Sequence, residues 1–152
     1  MNYAPYVNGR KPVDKEILSE LIGFNLDVTK LDTSKATDMR NLFFFNETFN
    51  QDISRWDTSS VTRMSLLFYK ARDFNQNING WNTSKAANMS RMFSGATAFN
   101  QDLKNWDLSN ADGVEDMFYD ATTFDLDTSS QDISSLVRGS KLTGMKPSDT
   151  SK

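Results

Sequence analysis

The sequence contains no cysteine and no histidine. Those two absences remove disulfides, Cys-ligated zinc, thiol nucleophiles, imidazole bases and haem-binding histidines, and with them most hydrolase and metalloenzyme chemistry. What survives is carboxylate, lysine, tyrosine or serine chemistry, or binding without chemistry. Branched aliphatic residues are sparse, and 11 Phe, 7 Met and 3 Trp stand in for them, so the core has to be built from aromatics and methionine. No apolar run approaches the roughly 18 residues that span a bilayer, which predicts no membrane insertion. A net charge of -3 offers no general attraction for nucleic acid or anionic lipid. The opening Met1-Asn2-Tyr3-Ala4-Pro5 lacks the basic start and apolar core of a secretory signal. A length of 152 residues allows one compact domain.

What the chain does contain is internal repetition. Phe24, Phe49, Phe74, Phe99 and Phe124 fall 25 residues apart, and so do Phe43, Phe68, Phe93 and Phe118. Leu31, Trp56, Trp81 and Trp106 keep the same interval, as do Met39, Met64, Met89 and Val114, and Leu42, Leu67, Met92 and Met117. Polar columns run alongside: Asn25, Asn50, Asn75 and Asn100; Asp27, Asp52, Asn77 and Asp102; Asp32, Asp57, Asn82 and Asp107; Ser34, Ser59, Ser84 and Ser109. A fixed period of this size marks a chain of stacked units, because one such unit cannot bury its own apolar face.

Within a unit the halves read differently. Val61, Met64, Leu67, Phe68 and Ala71 share one face at helical spacing, which predicts a short helix near 62–71 led by the oxygens of Asp57, Thr58 and Ser59. The stretch from Phe49 to Trp56 is too short and polar for a helix, and its Ile53 and Trp56 near a turn suggest a short strand. The expected fold is therefore an α/β repeat, a leucine-rich-repeat-like solenoid with one strand and one helix per 25-residue coil. Residues 1–23 read as an N-terminal capping region whose helix, 13–22, starts at Asp14 and carries Ile17, Leu18 and Leu21. Residues 24–123 hold four repeats. Residues 124–145 read as a degraded closing repeat, in which Gln131 to Leu136 copies Gln51 to Trp56 five residues late, and 146–152 as a polar, disordered tail.

The words Phe49-Asn50-Gln51-Asp52-Ile53-Ser54-Arg55-Trp56-Asp57-Thr58-Ser59-Ser60-Val61-Thr62-Arg63-Met64 and Met92-Phe93-Ser94-Gly95-Ala96 closely resemble the repeats of the BspA-type leucine-rich-repeat surface protein family, over about residues 24–136. The resemblance implies a leucine-rich-repeat-like solenoid and a place at the cell surface or outside the cell, as in bacterial surface proteins and lipoproteins; related proteins occur in marine microalgae and large DNA viruses. It carries no catalytic motif to transfer.

Several groups are candidates for function. The Asp and Asn columns are read either as a calcium-binding carboxylate ladder or as caps for the backbone at each bend; no calcium-loop spacing with its Gly and closing Glu is present, and no metal is assigned. Asp112, Glu115, Asp116 and Asp120 form an acidic end, a solvated face or a site for a cation or basic partner, while Arg55, Arg63, Lys70, Arg72, Lys85 and Arg91 make a basic middle. Three N-glycosylation acceptors, at Asn46, Asn82 and Asn88, matter only in a secretory pathway. Phe44, Tyr69 and Tyr119 occupy one column beside the core Phe, interrupted by Ser94, and either face outward as a contact patch or fold over as rim packing. With Arg63, Lys70 and Arg72 beside them, these are the expected partner-binding residues.

No phosphate loop, cofactor fingerprint or nucleophile-base constellation appears, and no cofactor is expected. The expected function is a non-enzymatic protein-binding or adhesion module; the alternative is a structural subunit packed into a larger assembly.

Overall fold

The computed structural model describes residues 2–124. The expected closing repeat and the polar tail lie outside the described residues, apart from Phe124. Two helices open the chain: α1, Ala4–Val7, and α2, Lys15–Gly23. The Asp14 carboxylate accepts the amide of Ile17 at 3.0 Å, satisfying a donor that has no partner within the helix. Leu18, Leu21 and Ile22 are buried on the face of α2 that meets the core. Gly9 (φ 72) is needed at the preceding turn, since a Cβ there would stand 2.7 Å from the Lys30 carbonyl oxygen.

The expected leucine-rich-repeat-like solenoid, with one strand and one helix per coil, is overturned. Among the described residues there is no helix after α2, and pairing is confined to isolated parallel bridges, Pro12 with Asp32, Asp38 with Arg63, Arg63 with Asn88 and Asn88 with Gly113. In place of the helix near 62–71 runs a series of tight turns, and in place of the strand from Phe49 to Trp56 an irregular segment with a turn at Ser54 and Arg55.

The hydrogen bonds give the physical reason. The amides of Met64, Leu66, Phe68 and Lys70 leave their own unit and donate to the carbonyls of Asn88, Ser90, Met92 and Ser94, at 2.8 to 3.0 Å. The amides between them, of Leu67, Tyr69 and Ala71, donate backwards to Met64, Leu66 and Phe68. A helix satisfies every interior amide internally and a strand none of them; here alternate amides do each. This pattern recurs from Met39, Asn41, Phe43 and Phe45 to Arg63, Ser65, Leu67 and Tyr69, and from Met89, Arg91, Phe93 and Gly95 to Gly113, Glu115, Met117 and Tyr119. Keeping it requires left-handed backbone twice per unit, at Asn41 and Phe45, Leu66 and Lys70, Arg91 and Gly95, Asp116 and Asp120. For non-glycine residues that conformation costs about 1–2 kcal/mol each, and the interunit bonds and ring contacts hold it in place.

Val61, Met64, Leu67, Phe68 and Ala71 are all buried, so the helical spacing of the core is real although its backbone is not helical. Phe43, Phe68, Phe93 and Phe118 stack at centroid separations of 5.3, 5.5 and 5.5 Å. Phe49, Phe74, Phe99 and Phe124 form a second pile at 6.0, 5.9 and 5.9 Å. The piles touch rung by rung, as in Phe68 with Phe74 at 3.9 Å. Trp56 and Trp81 lie 6.4 Å apart and parallel within 1°. The indole N–H groups of Trp56, Trp81 and Trp106 each donate to a carbonyl of the preceding unit, at Val28, Ile53 and Ile78.

Phe24 departs from its expected column. It follows directly on α2, is 64% exposed, and its ring lies against Tyr3 at 5.9 Å. Position 24 is spent on ending a helix, so its ring is turned away from the pile that begins at Phe49.

Candidate functional site

Two of the polar columns have their side-chain oxygens engaged locally, and in a third Asn50 and Asn75 accept the amides of Asn75 and Asn100 one unit on, at 3.0 and 2.9 Å. Asp32, Asp57, Asn82 and Asp107 each accept the amide of the serine two residues on, at 2.9 to 3.1 Å, and the hydroxyls of Ser34, Ser59 and Ser84 add a second bond to the first three. Asp27, Asp52, Asn77 and Asp102 cap the turns at Thr29, Ser54, Asn79 and Lys104 in the same way. Bonds from Ser59 and Ser109 hold the Asp57 and Asp107 carboxyls below their ordinary range. Among the described residues no group of three or more acidic side chains is placed to hold a metal ion. The side-chain oxygens of Asn82 and Asn88, two of the glycosylation acceptors, bond the amide and hydroxyl of Ser84 and Ser90.

The aromatic column projects outward. Phe44 is 44% exposed and stacks on Tyr69 at 5.0 Å with 15° between the rings. Phe45, which the column pattern did not single out, completes the group, 4.7 Å from Phe44 and 5.5 Å from Tyr69, both edge to face. Its left-handed backbone (φ 56) sets it apart from the buried Phe43 of the same Phe-Phe-Phe run. The available signal was the run itself, since three successive rings cannot all enter one core. Lys70 reaches over this cluster, with its ammonium 4.9 Å from the Phe45 ring and 5.7 Å from Tyr69, within cation–π range. Beside Phe44 and Phe45 an open hollow of about 540 Å³ is lined by uncharged polar residues, Ser19, Asn25, Asn41 and Asn46 among them.

The other expected contact residues divide. Arg72 is exposed and pairs loosely with Glu47 at 3.7 Å, two residues from Phe45. Tyr119 is 52% exposed but stands two units away from Tyr69, with Ser94 between them. Arg63 is not part of the aromatic cluster in its contacts; it joins Lys15 and Arg40 around Asp38, at 3.8, 3.3 and 2.7 Å. That knot ties α2 to the first two repeats, and the two-point bond from Arg40 holds the Asp38 carboxyl far below the usual carboxylate range. Arg91 pairs with Asp116 at 3.4 Å, joining the basic middle to the acidic end.

What is assembled is a surface of rings and cations on a stacked scaffold, with no helix among the described residues long and apolar enough to cross a membrane. Such a surface offers contact area and orientation to a ligand. Neither a curated protein nor a solved structure matches the chain. A family model does match, over residues 15–142, from the first residue of α2 through all of the described repeats, and the chain belongs to that family, the Mycoplasma proteins of unknown function DUF285.

Proposed function

We propose that the chain is a non-enzymatic protein-binding module that engages its partner through the face carrying Phe44, Phe45, Tyr69 and Lys70, with Arg72 at the rim. One observation carries this reading. Among the described residues the exposed large apolar side chains are Phe24, Phe44, Phe45 and Tyr119, and Phe44 and Phe45 adjoin each other and Tyr69 rather than standing singly. Clustered rings with cationic neighbours are the side chains that anchor protein interfaces. They sit on backbone bonded from unit to unit, so little ordering entropy is lost when a partner docks. The resemblance to BspA-type surface proteins supports an adhesive role at the cell surface or outside it.

The test is affinity capture from cells that make the protein, comparing the unmodified chain with a Phe44→Ser, Phe45→Ser double variant. Partner proteins should be retained by the first and lost from the second, while the thermal midpoints stay within a few degrees of each other. Equal capture by both chains counts against this face. Sedimentation of the purified chain addresses the alternative of a structural subunit: concentration-dependent self-association abolished by the same substitutions favours assembly over partner binding.

A further inference from the structure

The outward column at positions 44, 69, 94 and 119 runs Phe, Tyr, Ser, Tyr, so its series of rings lacks one rung at Ser94. The neighbouring buried column shows what that level accommodates: Phe93 lies between Phe68 and Phe118, 5.5 Å from each and within 11° and 2° of parallel. One residue further along, a hydroxymethyl group takes the place of a ring, and a hollow of about 280 Å³ lies there, lined by Tyr69, Tyr119, Ser94, Arg91 and Asp116. Ser94 is only 5% exposed, and its hydroxyl has no hydrogen-bond partner among the described residues. A buried hydroxyl left unpaired in a hollow flanked by two aromatic side chains is a site prepared for a polar-tipped ring.

We propose that this gap receives an aromatic side chain of a partner protein, a tyrosine or tryptophan with a basic residue next to it. The ring enters between Tyr69 and Tyr119 as the missing rung. Its O–H or N–H reaches Ser94, and the adjacent cation meets the acidic end of the stack, where Asp112, Glu115, Asp116 and Asp120 outnumber Arg91, which pairs with Asp116, and Lys70, which lies over Tyr69. The charge decides between ring-bearing ligands: a nucleobase in the same slot would bring its phosphate against those carboxylates. This inference rests on the reading of the chain as a protein-binding module and specifies the chemistry of the partner.

The experiment titrates a blocked pentapeptide, with tyrosine between two lysines, into the isotope-labelled full chain and follows both partners by NMR. Saturable shifts are expected at Arg91, Ser94, Asp116 and the rings of Tyr69 and Tyr119, with the peptide ring protons moved upfield by the flanking rings. The same peptide with alanine for tyrosine should not bind. Ser94→Tyr supplies the rung from the chain itself, as positions 69 and 119 already do, and should weaken binding at least tenfold without lowering the thermal midpoint. Tyr119→Ala removes one wall of the slot at an exposed position and should weaken binding by a similar factor; if S94Y does not fold, this variant decides. Absence of saturable shifts, undiminished binding to S94Y, or tighter binding of adenosine monophosphate than of the peptide overturns the proposal. Shifts confined to Phe44, Phe45 and Lys70 overturn it too, yet leave the broader binding role intact. That role fails separately, when partner capture ignores the Phe44 and Phe45 substitutions.

Discussion

Replacing a tryptophan of the indole column by phenylalanine tests how the units are locked, and Trp56 and Trp81 should respond differently. Both are almost fully buried, at 3% and 2% exposed, and both donate an indole N–H across to the preceding unit, at 2.8 and 3.0 Å. The acceptors differ. The Ile53 carbonyl that receives Trp81 also receives the Trp56 amide at 3.1 Å, so it keeps a partner when the indole is removed. The Val28 carbonyl that receives Trp56 has no other partner among the described residues, in a residue only 1% exposed. Trp81→Phe loses about 40 Å² of buried ring, or about 1 kcal/mol at 25 cal/mol per Å², together with a net hydrogen bond of about 1 kcal/mol, for a total near 2 kcal/mol. Trp56→Phe loses the same and strands a buried carbonyl, which adds about 1–2 kcal/mol. Urea titrations followed by near-ultraviolet circular dichroism measure both, with the slope of the transition checked against the unmodified chain. Equal losses, or a larger loss for Trp81→Phe, would refute the idea that these indoles act through the carbonyls they reach.

Two further outcomes follow from single polar contacts. The Thr83 hydroxyl, in a residue 1% exposed, both donates to the Asp107 carbonyl and accepts the Asp107 amide, each at 2.9 Å. Thr83→Val should therefore cost about 2–3 kcal/mol by leaving two backbone groups without partners, Thr83→Ser should recover most of it, and Thr58→Val, which frees only the Asn82 carbonyl, should cost less. Asp38 has a folded-state pKa depressed first by its bond to Arg40 and then by Lys15, so the stability it contributes is full above the ordinary carboxylate range and is lost as pH falls below it. The gap in urea midpoint between the unmodified chain and Asp38→Asn should accordingly be wide at neutral pH and narrow below about pH 4; a gap independent of pH would show that the carboxylate charge contributes nothing.

Much of the interior was legible because burial repeats faithfully. Phe68, Phe93 and Phe118 meet the same environment once per unit, so the same residue type fills it each time. The backbone was not legible for a specific reason. Buried positions spaced three and four apart at Val61, Met64, Leu67, Phe68 and Ala71 describe a helix and a chain of turns equally well, since side chains report which face is dry and not where an amide donates. Asn41 and Gly95 hinted at left-handed backbone, but Leu66, Lys70 and Arg91 in the equivalent positions concealed it. In the aromatic cluster, Phe44 and Tyr69 share a column and Lys70 adjoins it, so their proximity was legible, whereas Phe45 needed its backbone angle, Arg63 its partner Asp38 and Tyr119 its separation from Tyr69 to be placed.

The sequence by itself determined the period, the ring columns and the helix start at Asp14, because each follows from residue identity at a fixed interval or from a local bond. Tertiary structure alone decided that alternate amides cross between units, that Phe24 stays outside the pile, and that Ser94 leaves a hollow flanked by two tyrosines. Those features depend on partners about 25 residues away, and a hydrogen bond over that distance is chosen by the packing of whole units rather than by the residues that make it.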